Sequence, residues 1–177
     1  VADVQFGHLD ALVNNAGIVD TAQTLAEFSL QRLERMFRIN TIGAFLCARE
    51  AVHRMSTANG GHGGAIVNVS SIAARLGAPR QYVDYAASKG AVDVMTLGLA
   101  KEVAAEGIRV NAVRPGLIET DIHASGGQPD RVRRLAAGVP MKRGGTALEV
   151  ANAIVWLISD ESPYTTGSLI EISGGNL

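Results

Sequence analysis

Cysteine is almost absent. Its single occurrence, Cys47, excludes an internal disulfide framework and a cysteine-built zinc site. A surplus of either charge is also missing: sixteen Lys and Arg stand against seventeen Asp and Glu, a formal net charge of −1. A protein gripping nucleic acid or an anionic membrane across its surface would show a basic excess, so neither partner is expected. No run of apolar residues is long enough for a membrane-spanning helix. The four histidines, His8, His53, His62 and His123, lack metal-ligand spacing, and no metal is expected. The chain opens at Val1 without the basic start, apolar run and small-residue cleavage site of a secretory signal. A cytoplasmic protein is the default expectation.

What is present suffices for a packed domain. Of 177 residues, 47% are hydrophobic and 19% charged, and no repeat or low-complexity tract interrupts them. Glycine is the informative surplus, with 20 residues. Most of them border apolar or helical segments, as turn residues do. Leu9–Val13 reads as a strand ending in Asn14-Asn15-Ala16-Gly17. Phe28 to about Ser56 reads as one long helix, with Leu33, Phe37, Ile42 and Leu46 near helical spacing and Cys47 in its core. Ala65–Ser70 reads as a strand, Asp84–Glu106 as a second long helix capped by Gly107, and Ile108–Val113 as a strand stopped by Pro115-Gly116. Leu148–Ser159 is a shorter helix and Ser168–Ile172 a last strand.

This alternation predicts an α/β fold over 1–177, a parallel sheet covered by helices. The stretch from Leu117 to Thr146 is too long for an ordinary connection and reads as a lid or substrate-binding loop, 117–146. Gly60-Gly61-His62-Gly63-Gly64 precedes a strand, whereas a phosphate loop follows one and opens a helix. It reads as a plain flexible turn.

The chemistry concentrates in Tyr85-Ala86-Ala87-Ser88-Lys89. Residues at i and i+4 share a helix face, so Tyr85 and Lys89 are neighbours. A free tyrosine titrates near pH ~10, too high for acid–base work at neutral pH. A nearby ammonium favours the phenolate; lowering the pKa by ~3 units takes roughly 4 kcal/mol of differential stabilisation. Upstream, Ser71 ends the predicted strand through Ser70, where open parallel sheets bind ligands. Ser70 and Ser71 are opposite in pleat, so one of them faces the site. Asn40 lies mid-helix, where a kink would expose a carbonyl able to hold a water near Lys89. Tyr82 has Ala86, not Lys, at i+4 and reads as a substrate-side or structural ring. His123 lies in the predicted lid. Arg131, Arg133 and Arg134 read as a solvated basic face, with an acidic substrate left open.

Together these residues resemble the short-chain dehydrogenase/reductase family. The resemblance rests on Asn14-Asn15-Ala16-Gly17, Asn40, Ser71, Tyr85-x-x-x-Lys89 and Asn111 through Pro115-Gly116, in matching order. It implies a Rossmann-like doubly wound parallel sheet and hydride exchange between an alcohol or ketone and NAD or NADP. By the same resemblance Asn14, Ala16 and Gly17 sit beside the adenosine ribose. Ser71 orients the carbonyl, Tyr85 passes the proton, Lys89 lowers the Tyr85 pKa and binds the nicotinamide ribose, and Asn40 holds a relay water. Pro115, Gly116 and Ile118 line the nicotinamide, and Thr120 contacts phosphate or carboxamide.

The resemblance also implies N-terminal strands and a phosphate-binding turn ahead of Leu9, so a longer functional protein is expected. The residue selecting NAD or NADP falls in that segment. A homodimer or homotetramer built on the two long helices is expected, with a small carbonyl or alcohol as substrate. The competing reading is a non-catalytic binding or scaffold protein on the same fold.

Overall fold

The computed structural model describes residues 5–176. Its strands in chain order are β1 (Ala11–Asn14), β2 (Gly64–Val69), β3 (Ile108–Pro115), β4 (Ile118–Glu119), β5 (Gly145–Thr146) and β6 (Leu169–Ile172). The helices are α1 (Leu30–Phe37), α2 (Gly43–Met55), α3 (Ala73–Leu76), α4 (Val83–Val103), α5 (Ile122–Ser125), α6 (Arg131–Leu135) and α7 (Ala147–Ile158). Four strands form one parallel sheet in the order β1-β2-β3-β6, with Val13 opposite Val67 and Val67 opposite Asn111.

Side chains alternate across the pleat, so each central strand feeds two cores. Ile66 and Val110 join Ala51 and Met55 of α2 and Ala100 and Val103 of α4 on one face. Val67 and Val113 join Val150 and Leu157 of α7 on the other. Helices on both faces make the sheet doubly wound, as the family resemblance implies, and the parallel sheet covered by helices is the one the alternation predicts.

The expected long helix over Phe28–Ser56 is divided. Ser29 caps α1 by accepting from the Arg32 amide at 3.2 Å, and a π-helical turn, Arg38–Ile42, separates α1 from α2. That turn inserts a residue and shifts the inward-facing phase. Arg32 and Met36 are buried before it, Asn40 and Thr41 within it, and Ala48, Ala51 and Met55 after it. Ile42 and Leu46, expected on the apolar face, are therefore 51% and 47% exposed. Cys47 is exposed as well, not core.

One further segment differs from expectation. The glycine-rich turn before β2 is tightly packed. A Cβ on Gly63 (φ +82°) would lie 2.6 Å from the carbonyl oxygen of Gly107, which caps the 3-10 turn Ala104–Glu106 that follows α4. The 117–146 stretch carries short elements of its own. Ile118 pairs with Gly145 and Glu119 with Thr146, so β4 and β5 pinch its two ends together around α5 and α6. Among the described residues, no helix is long and apolar enough to cross a membrane.

Candidate active site

The carboxyl ends of the parallel strands open onto a cleft of about 1310 Å³. This is the place where such sheets leave room for a ligand. Tyr85 and Lys89 lie one turn apart on α4, and both face it. The Lys89 Nζ stands 5.8 Å from the Tyr85 ring centroid and donates to the Val69 carbonyl at 2.7 Å. Lys89 is only 4% exposed, and burial pulls its pKa down to about 8 while the Asp93 carboxylate, one turn further along α4, works in the other direction. Burial pushes the Tyr85 phenol above its ordinary value, and a hydrogen bond with the Ser71 hydroxyl opposes that rise. Desolvation outweighs that bond.

The adjacent serines diverge. Ser70 donates to the Lys89 carbonyl at 3.2 Å and is buried. Ser71 borders the cleft, and its oxygen accepts from the Ala73 amide at 3.1 Å at the start of α3. Asn40 sits in the π turn. Its Oδ1 accepts from the Ile18 amide at 2.8 Å and its Nδ2 donates to the Ile18 carbonyl at 2.9 Å and to Ser88 Oγ at 3.1 Å. Its side chain thus ties the loop after β1 to α4. Gly17 fits between them: a Cβ there would lie 3.2 Å from Lys89 Nζ and 3.4 Å from Asn40 Oδ1.

Ala16, Gly17, Pro115, Gly116, Ile118 and Thr120 all border the cleft. Asn14 does not; its Nδ2 donates to Asn68 Oδ1 at 2.8 Å and to the Ala44 carbonyl at 3.3 Å, bracing β1 against β2 and α2. Asn111 is likewise internal, donating to the Thr165 carbonyl at 2.8 Å and accepting from the Ser168 amide at 3.0 Å. His123 reaches the Ile118 carbonyl oxygen at 2.8 Å, and burial lowers its pKa.

Two charge pairings escape any reading of local spacing. Arg32 reaches across to Asp84, the residue just before Tyr85, at 2.7 Å. Arg114 binds Asp93 at 2.9 Å and Glu171 at 3.4 Å. Both join residues far apart in the chain, and neither spacing signals the contact.

A small-residue floor built by Ala16, Gly17 and Gly116 beside a buried lysine suits a flat ring and ribose. That cleft, on a doubly wound sheet with a Tyr–Lys pair in its wall, defines a dinucleotide-dependent oxidoreductase. The family model described as Enoyl-(Acyl carrier protein) reductase matches residues 1–176. Among similar proteins, "Uncharacterized oxidoreductase YgfF" of Escherichia coli (strain K12) is 61% identical over 167 residues, 94% of this chain and 68% of that protein. "Glucose and ribitol dehydrogenase homolog" of Oryza sativa subsp. japonica is 39% identical, covering 99% of this chain and 59% of the rice protein. The solved structure "ElxO with NADP Bound" superposes with a TM-score of 0.87 at 36% identity, over 98% of this chain and 69% of that one. The chain belongs to the short-chain dehydrogenase/reductase family of NAD(P)-dependent oxidoreductases.

Proposed function

We propose that the protein containing this chain interconverts an alcohol and a carbonyl compound, with Tyr85 as general acid and base. The observation that carries this reading is the meeting of Tyr85, Ser71 and Lys89 at one wall of the cleft. The nicotinamide cofactor, when bound, would supply the hydride for carbonyl reduction and accept it in alcohol oxidation. Tyr85 gives its phenolic proton to the carbonyl oxygen, or takes one from the alcohol. Ser71 holds that oxygen by a hydrogen bond. Lys89, whose Nζ faces the Tyr85 ring, stabilises the phenolate left behind. Asn40 holds Ile18 by two backbone hydrogen bonds and so keeps Gly17 against Lys89, and a relay water beside it completes the proton path.

Gly17, Ala16, Pro115, Gly116, Ile118 and Thr120 would hold the cofactor. Asn14 would support that surface from behind. The 117–146 segment closes over the substrate within a single domain, 1–177. Exposed apolar side chains on α2 (Phe45, 50%; Leu46, 47%) and α4 (Val94, 70%; Leu97, 39%) support a homodimer or homotetramer through those helices. The reading extends to a cytoplasmic protein. A scaffold would have no use for a tyrosine and a buried lysine turned into an open cleft.

Replacing Tyr85 by Phe tests the reading. Turnover should fall by about 10²-fold or more, with binding of NADH or NADPH, followed by fluorescence, retained. Near-normal turnover would remove Tyr85 from the chemistry. Comparing the two titrations in the unaltered protein assigns the preferred cofactor.

A further inference from the structure

The three arginines of the lid separate in the structure. Arg133 and Arg134 are exposed, whereas Arg131, the first residue of α6, is half-buried and borders the cleft together with Tyr82 and Tyr85. The Arg131 guanidinium lies 5.4 Å from the Tyr82 ring centroid. Its Nη1 donates to Gln81 Oε1 at 2.7 Å and to Gln128 Oε1 at 3.1 Å. Arg134 Nη2 reaches the same Gln128 oxygen at 2.5 Å, and Gln128 Nε2 donates to the Tyr82 hydroxyl.

Two guanidinium groups thus converge on one neutral amide oxygen. Among the described residues, no carboxylate forms an ion pair with Arg131 or Arg134. The acidic groups at the cleft are committed or exposed: Asp20 is paired with Arg35 at 3.5 Å, and Asp121 is exposed. A guanidinium at a ligand-sized cleft, held in place yet bonded only to amide oxygens, is a vacant half of an anion clamp. A carboxylate or phosphate offers the guanidinium fork two parallel charge-assisted bonds, which adds both energy and geometric specificity over single amide oxygens. Stacking on Tyr82 fixes the fork beforehand, which reduces the ordering cost of binding.

The placement relative to the chemistry is defined by α4. Tyr82 is its N-cap and Tyr85 stands in its first turn. One rigid helix start therefore carries both the reactive hydroxyl and the ring under Arg131. Resting on the oxidoreductase reading above, we propose that Arg131 selects substrates bearing a carboxylate or phosphate group at a distance from the reacting carbon. The anion replaces the Gln81 and Gln128 oxygens on the guanidinium and so ties substrate to lid.

The test uses the full-length protein and a series of (ω−1)-hydroxy acids of increasing chain length, which moves the carboxylate away from the reacting carbon, their neutral methyl esters, and hydroxyalkyl phosphates of matched length. Each is oxidised with NAD or NADP. The proposal expects kcat/KM for the acid or the phosphate to exceed that for the neutral compound by about tenfold or more; whichever is preferred identifies the anion. Arg131→Gln should bring that ratio close to one, chiefly by raising KM for the charged substrate. Arg131→Lys should retain part of the preference, which separates loss of charge from loss of fold. Arg133→Gln, exposed on the same helix, should leave the ratio unchanged. Equal kcat/KM for charged and neutral compounds in the unaltered protein overturns the proposal alone, as does a preference that survives Arg131→Gln. No turnover of any compound, with no binding of NADH or NADPH, overturns the oxidoreductase reading and this proposal with it.

Discussion

Arg32 and Asp84 form a two-bond ion pair inside the protein, Nε to Oδ2 at 2.7 Å and Nη2 to Oδ1 at 3.2 Å, with side chains 7% and 0% exposed. Arg32 also donates to the Thr21 carbonyl and to Gln23 Oε1, both through Nη1, and lies 4.3 Å from the Phe28 ring centroid. The pair joins α1, the loop after β1 and the residue preceding Tyr85. Asp84→Ala leaves a buried guanidinium without its counter-charge and should destabilise the fold by about 3–5 kcal/mol. Urea unfolding measures it; a loss below about 1 kcal/mol would mean that the site is solvated. The double replacement Arg32→Met with Asp84→Leu should recover much of the stability. Its turnover should stay low, because Tyr85 loses its anchor.

Lys89 makes stability depend on pH in a direction opposite to that of a salt-bridged lysine. Its pKa is about 8 in the folded protein against 10.5 for the free side chain. Between those values the unfolded chain binds more protons than the folded one, so stability rises as pH rises through that window. The burial penalty is full below pH ~8 and gone above pH ~10.5, a change of about 3 kcal/mol. Tyr85, shifted upward, opposes this only above its ordinary pKa. The gap in unfolding free energy between this protein and Lys89→Met should therefore narrow by about 2 kcal/mol between pH 7.5 and pH 9.5. A constant gap between the two proteins would show that Lys89 titrates normally.

Two glycines of the cleft floor should respond differently to alanine. At Gly116 the added Cβ would meet the Ser173 Cα at 2.7 Å, backbone that cannot give way. That replacement should cost about 1–3 kcal/mol of stability. At Gly17 the nearest atom is Lys89 Nζ at 3.2 Å, the end of a long side chain. Gly17→Ala should leave the thermal midpoint nearly unchanged and depress kcat by displacing Lys89. Equal thermal losses in both variants would contradict this contrast.

The exposed apolar face of α4 bears on assembly. Val94 is 70% exposed on a helix whose opposite side is core. If α2 and α4 pair between subunits, Val94→Asp places a charge in that contact and should shift the full-length protein toward monomer in light scattering. The same molar mass before and after the change would move the interface elsewhere.

The sheet was legible because its strands are short β-branched runs bounded by glycine, and buried parallel strands require that composition. Tyr85 and Lys89 were legible for a local reason: four residues along a helix fix a shared face. Arg32–Asp84 was not, since its partners are 52 positions apart and only the packed fold brings them together. The exposure of Cys47 was hidden for another reason. A single inserted residue in the π turn rotates everything after it, and periodicity read across that point averages two phases. Asn14 has the residue type of a ligand contact, but its amide is spent on Asn68 and Ala44. Residue identity alone does not reveal which way a side chain turns.

The π turn at Arg38–Ile42 works as a joint between two surfaces with separate duties. Arg32 and Met36 ahead of it, with Asn40 in the turn itself, govern the aim of α4 and the loop after β1. Behind it, Ala48, Ala51 and Met55 are buried, and the last two pack on the sheet. Removing one residue from the joint would set the two halves back in phase and put one of them out of register with its own partner. Conversely, the outward side of α2 can be rewritten for a different neighbour without re-aiming the tyrosine, which makes this helix a place where assembly and chemistry can be engineered independently.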